Sequence, residues 1–366
     1  MRKITLLAGL LLQFTMMANA QQPASPPLHP DGSLPERTFE VFWQTFEDHY
    51  AFFKLRKVDW KAAYAQYRPQ VMSSTTDDSL FHILSRMVTP FQDDHINVII
   101  PGKRQFRSDK PSQFLSEFPK GEMTGRFWSM VDESLASSGF GKLHTAGEKF
   151  RDIPLFSFAR TKDVGYIRFR RSFSSAEEDD SNKDAVVAGK LLDSILNTFK
   201  DTRALIIDVR ANIGGNDEFS YAMAGRFARK RVHGHYKQTR NGGYEDFGPR
   251  EDWYIEPKGV AYHHPVMVLT NDQTASAADV FAMIMKTLPQ VKLVGNHTLG
   301  IYSDMYGFEL PNKWQVSLSN QRYYTSKGEC YEGKGTPTDI QVLNTRKDLE
   351  EKSDPVLKRA LAELSK

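Results

Sequence analysis

The 366-residue sequence has only one cysteine, Cys330. A single cysteine cannot form an internal disulfide, so the apolar core alone must hold the fold even in an oxidising compartment. Apolar residues make up 40% of the chain. This is enough to bury the core of one large α/β unit with a smaller N-terminal element.

The sequence also has little net charge, because 48 basic residues nearly balance 45 acidic ones and leave a formal charge of +3. That balance gives no electrostatic footprint for a polyanion, so nucleic acid is not expected as a partner. The one basic cluster, Arg226, Arg229, Lys230 and Arg231, is interpreted as the solvated end of a helix.

Residues 1–20 have the pattern of a secretory signal peptide, with a basic start at Arg2 and Lys3, an apolar middle and a small-x-small cleavage signal at Ala18-Asn19-Ala20. The stretch is too short for a comfortable membrane span, and no cysteine follows it that could carry a lipid. Cleavage would lower the formal charge from +3 to +1. We therefore expect a secreted or periplasmic protein without an integral membrane segment.

Two features come close to cofactor patterns but lack essential parts. Gly214-Gly215 lies between a predicted strand and a predicted helix, without the third glycine and the spacing of a dinucleotide fingerprint. His233 and His235 would face one side of a strand, and His263-His264 follow, but no cysteine or carboxylate joins either pair at ligand spacing. Neither a metal nor an organic cofactor is expected.

The first third of the chain predicts a small helical domain. Residues 21–35 are rich in Pro, Gln and Ser, which favours a disordered leader. Residues 36–92 carry aromatic side chains at helical spacing, and further helices are predicted from about Asp59 and Thr76. Such aromatic stripes are typical of a core.

The remainder predicts an α/β sheet. Residues 93–153 contain a strand-like run directly after His95, then charged and irregular sequence interpreted as an insertion or lid. From residue 154 onward, apolar runs typical of buried strands alternate with helical patterns. Residues 242–256 are interpreted as a polar loop, and a final helix is predicted after Asp354.

Ser276 lies where an apolar run, residues 266–269, gives way to a helical pattern. In one interpretation it is only an N-cap, because Asp279 completes the spacing of a capping box. In the other, its hydroxyl is a nucleophile at the positive end of the helix, beside free N–H groups that stabilise an alkoxide or oxyanion. Only partners elsewhere in the chain can decide.

Four segments, in this order, resemble the tail-specific or C-terminal-processing serine proteases, peptidase family S41, which also include the tricorn core protease. The segments are Asp94-His95 before a strand, residues 205–215 ending in Gly214-Gly215, residues 274–281 around Ser276 with residues 298–300 after them, and residues 332–339 beginning with Glu332.

This resemblance implies that Ser276 is the nucleophile and that Ala277 donates one oxyanion-hole N–H. The Gly214-Gly215 turn would supply the second donor. Family members with a Ser-Lys dyad carry their lysine at the position that is Ile301 here, and an isoleucine cannot accept a proton. The chain is therefore similar to the tricorn-type branch, which uses Ser-His-Glu.

In that branch the base is a histidine from an earlier loop, and a glutamate after the nucleophile orients it. His95 and Glu332 occupy these positions. An imidazole, with a pKa of about 6.5 in model peptides, can take the serine proton and return it to the leaving amine. Glu332 would hold the other ring nitrogen and stabilise the imidazolium.

The resemblance also implies a crotonase-like ββα-spiral protease core over residues 154–345, a C-terminal helix at 346–366 and no PDZ domain, since residues 101–153 are too short for one. The expected function is that of a serine endopeptidase that acts on a protein or peptide substrate through an acyl-enzyme. Two alternatives stay open: a non-catalytic peptide- or ligand-binding protein on the same scaffold, and another acyl hydrolase such as an esterase.

Overall fold

The computed structural model describes residue 25 and residues 30–175 and 180–366. The predicted signal peptide and most of the predicted leader lie outside the described residues. The described chain forms two compact units that are each discontinuous in sequence. The first comprises the residues up to Pro111 with Gln238–Pro249 and Ser303–Arg322, and the second comprises Ser112–Lys237, Arg250–Tyr302 and Tyr323–Lys366.

The helices, in chain order, are α1 (Leu34–His49), α2 (Phe53–Arg56), α3 (Trp60–Tyr67), α4 (Asp77–Val88), α5 (Gln113–Glu117), α6 (Glu122–Ser137), α7 (Ser181–Thr198), α8 (Asp217–Ala224), α9 (Ala277–Met285), α10 (Lys347–Glu350) and α11 (Pro355–Leu364). The strands are β1 (Asn97–Ile100), β2 (Arg104–Arg107), β3 (His144–Phe150), β4 (Ile153–Arg160), β5 (Val164–Arg168), β6 (Ala204–Asp208), β7 (Val232–Thr239), β8 (Glu251–Ile255), β9 (Val266–Thr270), β10 (Val291–Gly295), β11 (Met305–Glu309), β12 (Gln315–Ser319), β13 (Gln321–Thr325) and β14 (Ile340–Gln341).

The first unit contains α1 to α4 and a four-stranded antiparallel sheet of order β11-β12-β1-β2. Helix α1 begins two residues before the predicted start of the helical domain, because Ser33 and Glu36 form a capping box there. The apolar faces of the helices bury an aromatic core that includes Phe42, Phe46 and Trp60. The predicted small helical region at the N-terminus is confirmed.

The second unit is built on a seven-stranded sheet of order β14-β10-β9-β6-β5-β4-β3. The five strands from β14 to β5 are parallel, and β4 and β3 are antiparallel. Alternation along the buried strand β6 places Leu205 and Ile207 in one core, with residues of α7 to α9, and Ile206 in another, with residues of α6 and α11. Helices therefore cover both faces of the sheet, and the predicted α/β class is confirmed.

A third sheet has three strands in the order β13-β7-β8. Strand β8 lies within residues 242–256, and the interpretation of that whole range as a polar loop was wrong. Strand β8 pairs antiparallel with β7, and Ile255 is fully buried in the core beside α8. Burial of this apolar end outweighs the polar composition of the segment.

Two other interpretations also require correction. Residues 101–153 are largely regular, since they contain β2, α5, α6 and β3. Arg226 is not at a solvated helix end: it is buried, and its guanidinium bonds both carboxylate oxygens of Asp193 at 2.9 Å. Among the described residues, no helix is long and apolar enough to cross a membrane.

Candidate active site

Ser276 lies at the carboxyl-end edge of the large sheet. Strands β5, β6 and β9 run parallel, so the segments after Arg168, Asp208 and Thr270 leave the sheet at one edge, the usual place for ligands in such sheets. The last of these segments ends at Ser276, which immediately precedes α9, as the sequence predicted.

The backbone of Ser276 is not that of an ordinary helix cap. Its φ is +56° and its ψ is −126°, whereas N-cap residues normally have β-region angles. The caps Thr76 and Asp354 in this chain do so, with φ −74° and −88° and ψ 158° and 102°. Positive φ at a non-glycine residue costs on the order of 1–3 kcal/mol and is concentrated at functional sites. The predicted capping box with Asp279 is present, although the Ser276 hydroxyl forms no well-aligned cap hydrogen bond.

The turn after β6 packs directly against Ser276. A Cβ added to Gly214 would lie 2.6 Å from the Ser276 Cβ and 2.7 Å from the Ala275 carbonyl oxygen. The Ala275 N–H donates to the Asn212 carbonyl oxygen at 2.9 Å, which fixes the two segments together. Gly214 has φ +83°. Only a residue without a side chain fits this approach.

In the described chain, two backbone N–H groups beside Ser276 have no hydrogen-bond acceptor. Among the described residues, neither the Ala277 N–H nor the Gly215 N–H has an acceptor. The Gly214 N–H, in contrast, donates to Asn212 Oδ1 at 2.9 Å. Ser276 is partly exposed and Gly215 exposed, so a ligand can reach them. Of the two glycines predicted as donors, the structure favours Gly215, because the N–H of Gly214 is already used.

Replacement of Gly214 by alanine is expected to displace Ser276 and reduce its labelling by a fluorophosphonate at least about 10²-fold, the effect of losing one oxyanion donor. Gly139 has the same φ, +83°, with nothing within 4 Å of an added Cβ. Gly139→Ala therefore carries the backbone strain without the collision, and labelling rates of the two variants can be compared. Equal labelling of the variants and wild type would show that Gly214 does not position the serine.

Asp279 connects Ser276 to the turn after β10. Its buried carboxylate accepts the Ser276 N–H at 2.9 Å, the Gly300 N–H at 2.9 Å and the Ile301 N–H at 3.1 Å. Burial raises the pKa of Asp279 to about 6, although these hydrogen bonds oppose the rise. The sequence predicted Asp279 only as a capping acid. Its second role depends on a turn more than twenty residues later, which no local pattern indicates.

Glu332 is held by the same turn. It is buried, and its Oε2 accepts the Tyr302 N–H at 2.9 Å. The Gly333 N–H donates to the Gly300 carbonyl oxygen at 2.7 Å, so the segment of Glu332 lies against that turn. In the second unit, hydrogen bonds therefore link Ser276 through Asp279 and the turn at residues 300–302 to Glu332.

Asp279→Asn is expected to lower the free energy of unfolding by about 1–3 kcal/mol, because three N–H groups share its two carboxylate oxygens and asparagine keeps only one acceptor oxygen, so at least one N–H faces an NH2 group. Chemical denaturation at pH 7.5 measures this. Asp163→Asn is the control, since Asp163 pairs with an arginine that is 78% exposed and such surface pairs contribute only about 0–1 kcal/mol. Equal stability losses would mean that the Asp279 bonds are not structurally important.

His95 lies in the first unit, in the short loop before β1. Its N–H donates to Asp93 Oδ1 at 3.0 Å, and its carbonyl oxygen accepts the Ser317 hydroxyl at 2.7 Å. The ring is 5% exposed, and within the described chain its Nδ1 has no hydrogen-bond partner. Burial lowers the pKa of His95 to about 4, with Asp93 opposing the shift. The ring is therefore neutral at neutral pH and able to accept a proton.

Two of the four other candidate histidines, His233 and His235, have structural partners, whereas in the described chain His263 Nε2 is buried without one. His235 is stacked between Trp253 and Tyr323, and its Nδ1 lies 2.7 Å from the Tyr221 hydroxyl. His233 Nε2 lies 2.7 Å from an Asp252 oxygen. In the part of the chain that the structure describes, no group of three His, Cys, Asp or Glu residues is arranged to hold a metal ion.

Comparison with known proteins gives two matches to protein families. Residues 163–342 match peptidase family S41. Residues 35–89 match the C1 domain of tricorn protease. The S41 match contains Gly214, Ser276 and Glu332, whereas His95 lies outside both matched ranges. At the level of the family, the matches indicate a serine-type peptidase scaffold.

Individual proteins are also similar to this chain. The carboxy-terminal processing protease CtpA of Bacillus subtilis is 27% identical over 143 residues, which cover 39% of this chain and 29% of that protein. The chain thus spans about a third of this curated relative. A solved structure described as a candidate peptidase from Parabacteroides merdae is 27% identical, with a TM-score of 0.76 over 91% of this chain and 97% of that one. Mature CPAF, 12% identical, shares the fold with a TM-score of 0.62 over 90% and 98% of the two chains.

Proposed function

We propose that this protein is an exported serine endopeptidase that hydrolyses peptide bonds in a protein or peptide substrate through an acyl-enzyme on Ser276. The observation that carries the proposal is the strained backbone of Ser276 beside the free N–H groups of Ala277 and Gly215. A helix cap needs neither feature. A nucleophile needs both, because its hydroxyl must be presented and the developing oxyanion must find donors.

In the proposed reaction, Ser276 Oγ attacks the scissile carbonyl carbon while its proton passes to the His95 imidazole. The oxyanion accepts hydrogen bonds from Ala277 and Gly215 N–H. The imidazolium then returns the proton to the departing amine, and water repeats the sequence on the ester. Neutral His95 supports this role, and Glu332 is proposed as the carboxylate that orients the imidazolium.

Ile301 supports a histidine base over a lysine base. Its side chain is buried and apolar, and its N–H is used by Asp279. Export is proposed from residues 1–20, whose pattern is that of a signal peptide.

Labelling with a fluorophosphonate tests the proposal, because only an activated serine reacts readily with it. We expect labelling of the full chain, located at Ser276 by mass spectrometry of the digested protein. Cleavage of casein or a mixed peptide library, read at the level of peptide bonds, then distinguishes a peptidase from an esterase. A folded protein that neither labels nor cleaves would instead support the non-catalytic binding protein.

A further inference from the structure

Two arginines lie close together in sequence where the chain leaves β5. Arg168 ends the strand, and Arg170 follows two residues later at a bend. Both side chains lie over the ring of Trp128 in α6, with their guanidinium carbons 4.7 and 4.8 Å from its centroid. The indole thus holds two like charges close together.

Within the described chain Arg170 forms no ion pair, although the nearby charge of Asp208 partly stabilises its guanidinium. Arg168 NH1 bonds Asp132 at 2.8 Å, but within the described chain the Arg170 guanidinium makes no hydrogen bond or ion pair, and its Nε is buried. The Trp128 Nε1 is likewise buried without a partner. Burial and the neighbouring Arg168 lower the pKa of Arg170 to about 10. Buried donors without acceptors and two cations close together are both unfavourable. A bound anion would accept hydrogen bonds from the donors and offset the repulsion.

A cavity of about 160 Å³ opens at this place. It is lined by Trp128, Asp152, Ile153, Pro154, Ser157, Arg168 and Arg170. Space of this size equals the bulk volume of about five water molecules, which is enough for a carboxylate and the carbon atoms that carry it. Asp152 opposes an anion, but it is exposed and its charge is solvated.

The segment that carries Arg170 is hydrogen-bonded to the turn that contains Gly214 and Gly215. The Arg170 carbonyl oxygen accepts the Ile213 N–H at 3.1 Å, and the Ser172 N–H donates to the Gly214 carbonyl oxygen at 2.7 Å. Ser172 also forms a bridge with Gly215. The segment that carries Arg170 therefore runs beside the backbone whose N–H is proposed to bind the oxyanion.

We propose that Arg168, Arg170 and Trp128 form a subsite that binds a carboxylate of the peptide substrate. A guanidinium fork matches the two oxygens of a carboxylate, and an amide at the same place would leave the charge of Arg170 uncompensated. The carboxylate comes from either an acidic side chain or the C-terminus of the peptide. This inference rests on the proposed function, since it places a peptide beside Gly215.

Matched peptides test the subsite without turnover, in the full chain carrying Ser276→Ala. Isothermal titration calorimetry would compare a peptide with a free C-terminus and no acidic side chain, its C-terminal amide, the amide with one Glu, and that peptide with Gln instead. We expect at least one carboxylate form to bind tenfold or more tightly than its amide counterpart. The pair that differs identifies the source. Equal affinity in both pairs would overturn the proposal without any arginine variant.

A second set of variants assigns the effect to Arg170. Arg170→Gln, added to Ser276→Ala, should remove the preference for the carboxylate form, and Arg170→Lys should retain part of it. Arg203→Gln, at a side chain that is 78% exposed, should change nothing. A preference that survives Arg170→Gln in a folded protein would place the carboxylate elsewhere and refute the subsite.

Fluorophosphonate labelling separates this proposal from the peptidase proposal. If wild type labels and no peptide pair differs, the subsite fails and the peptidase stands. If wild type does not label but the pairs differ in affinity, the catalytic proposal fails and the carboxylate site stands in a binding protein.

Discussion

Ser276→Ala is expected to abolish fluorophosphonate labelling and to lower peptide hydrolysis by roughly 10⁶-fold, the size of effect seen when the nucleophile of a catalytic triad is removed. Without Oγ no acyl-enzyme can form, so only a slow attack by water assisted by the oxyanion donors is left. The measurement is the release of new amino groups from a peptide mixture, with labelling of the same preparation.

The matched control for Ser276→Ala is Thr76→Ala. Thr76 is an ordinary N-cap of α4, and its side chain accepts the Ser79 N–H at 3.3 Å. Loss of such a cap costs about 0.5–2 kcal/mol of stability and should leave labelling intact. Ser276→Ala should show the opposite pattern, since its hydroxyl makes no well-aligned cap bond. Hydrolysis by Ser276→Ala at the wild-type rate would mean that this serine is only a helix cap, and it would refute the peptidase proposal.

The position of Ser276 could be predicted from the sequence because local patterns set it. An apolar run and a helical pattern meet there, and both elements were found at those residues. Its φ of +56° could not be predicted. That angle accompanies packing against Gly214, some sixty residues earlier, and period and propensity carry no information about such a contact.

The same limit applies to the units. Helical spacing predicted the helices before β1, and the strand after His95 was also found. However, Asn97 pairs with Ser317, more than two hundred residues later, so the first unit includes late segments that a linear division of the chain separates. A strand pattern shows that pairing is needed without identifying the partner.

The carboxylate subsite was missed for a related reason. In the sequence, nothing distinguishes Arg168 and Arg170 from other charged residues near the end of a strand. Trp128 belongs to an amphipathic helix, and its pattern indicates only a face that packs on the core. Their meeting in one cavity depends on how α6 packs on the sheet. A pattern of paired charges could not indicate Arg170 either, because within the described chain this arginine forms no ion pair.

His95→Gln is expected to lower kcat/KM for peptide hydrolysis by about 10²–10⁴-fold, the contribution of a general base. Glutamine keeps a polar side chain of similar size but cannot take the serine proton. His82→Gln is the control, because His82 is exposed on α4 and its replacement should leave kcat/KM unchanged. An unchanged rate in His95→Gln would remove this histidine from the mechanism and require another base.

The pH profile gives His95 a sharper signature than the rate alone. The base must be neutral to act, and burial lowers the pKa of His95 to about 4. The wild-type rate governed by this group should therefore hold as pH falls through 6.5, the usual pKa of histidine, and decline only near pH 4. Burial raises the pKa of Asp279 to about 6, so its protonation would change the rate at a higher pH than protonation of His95 does. Asp279→Asn removes that contribution to the profile. If the rate of His95→Gln also declines near pH 4, another group causes that decline. If the decline is absent in His95→Gln, the group that takes up the proton in wild type is the His95 ring.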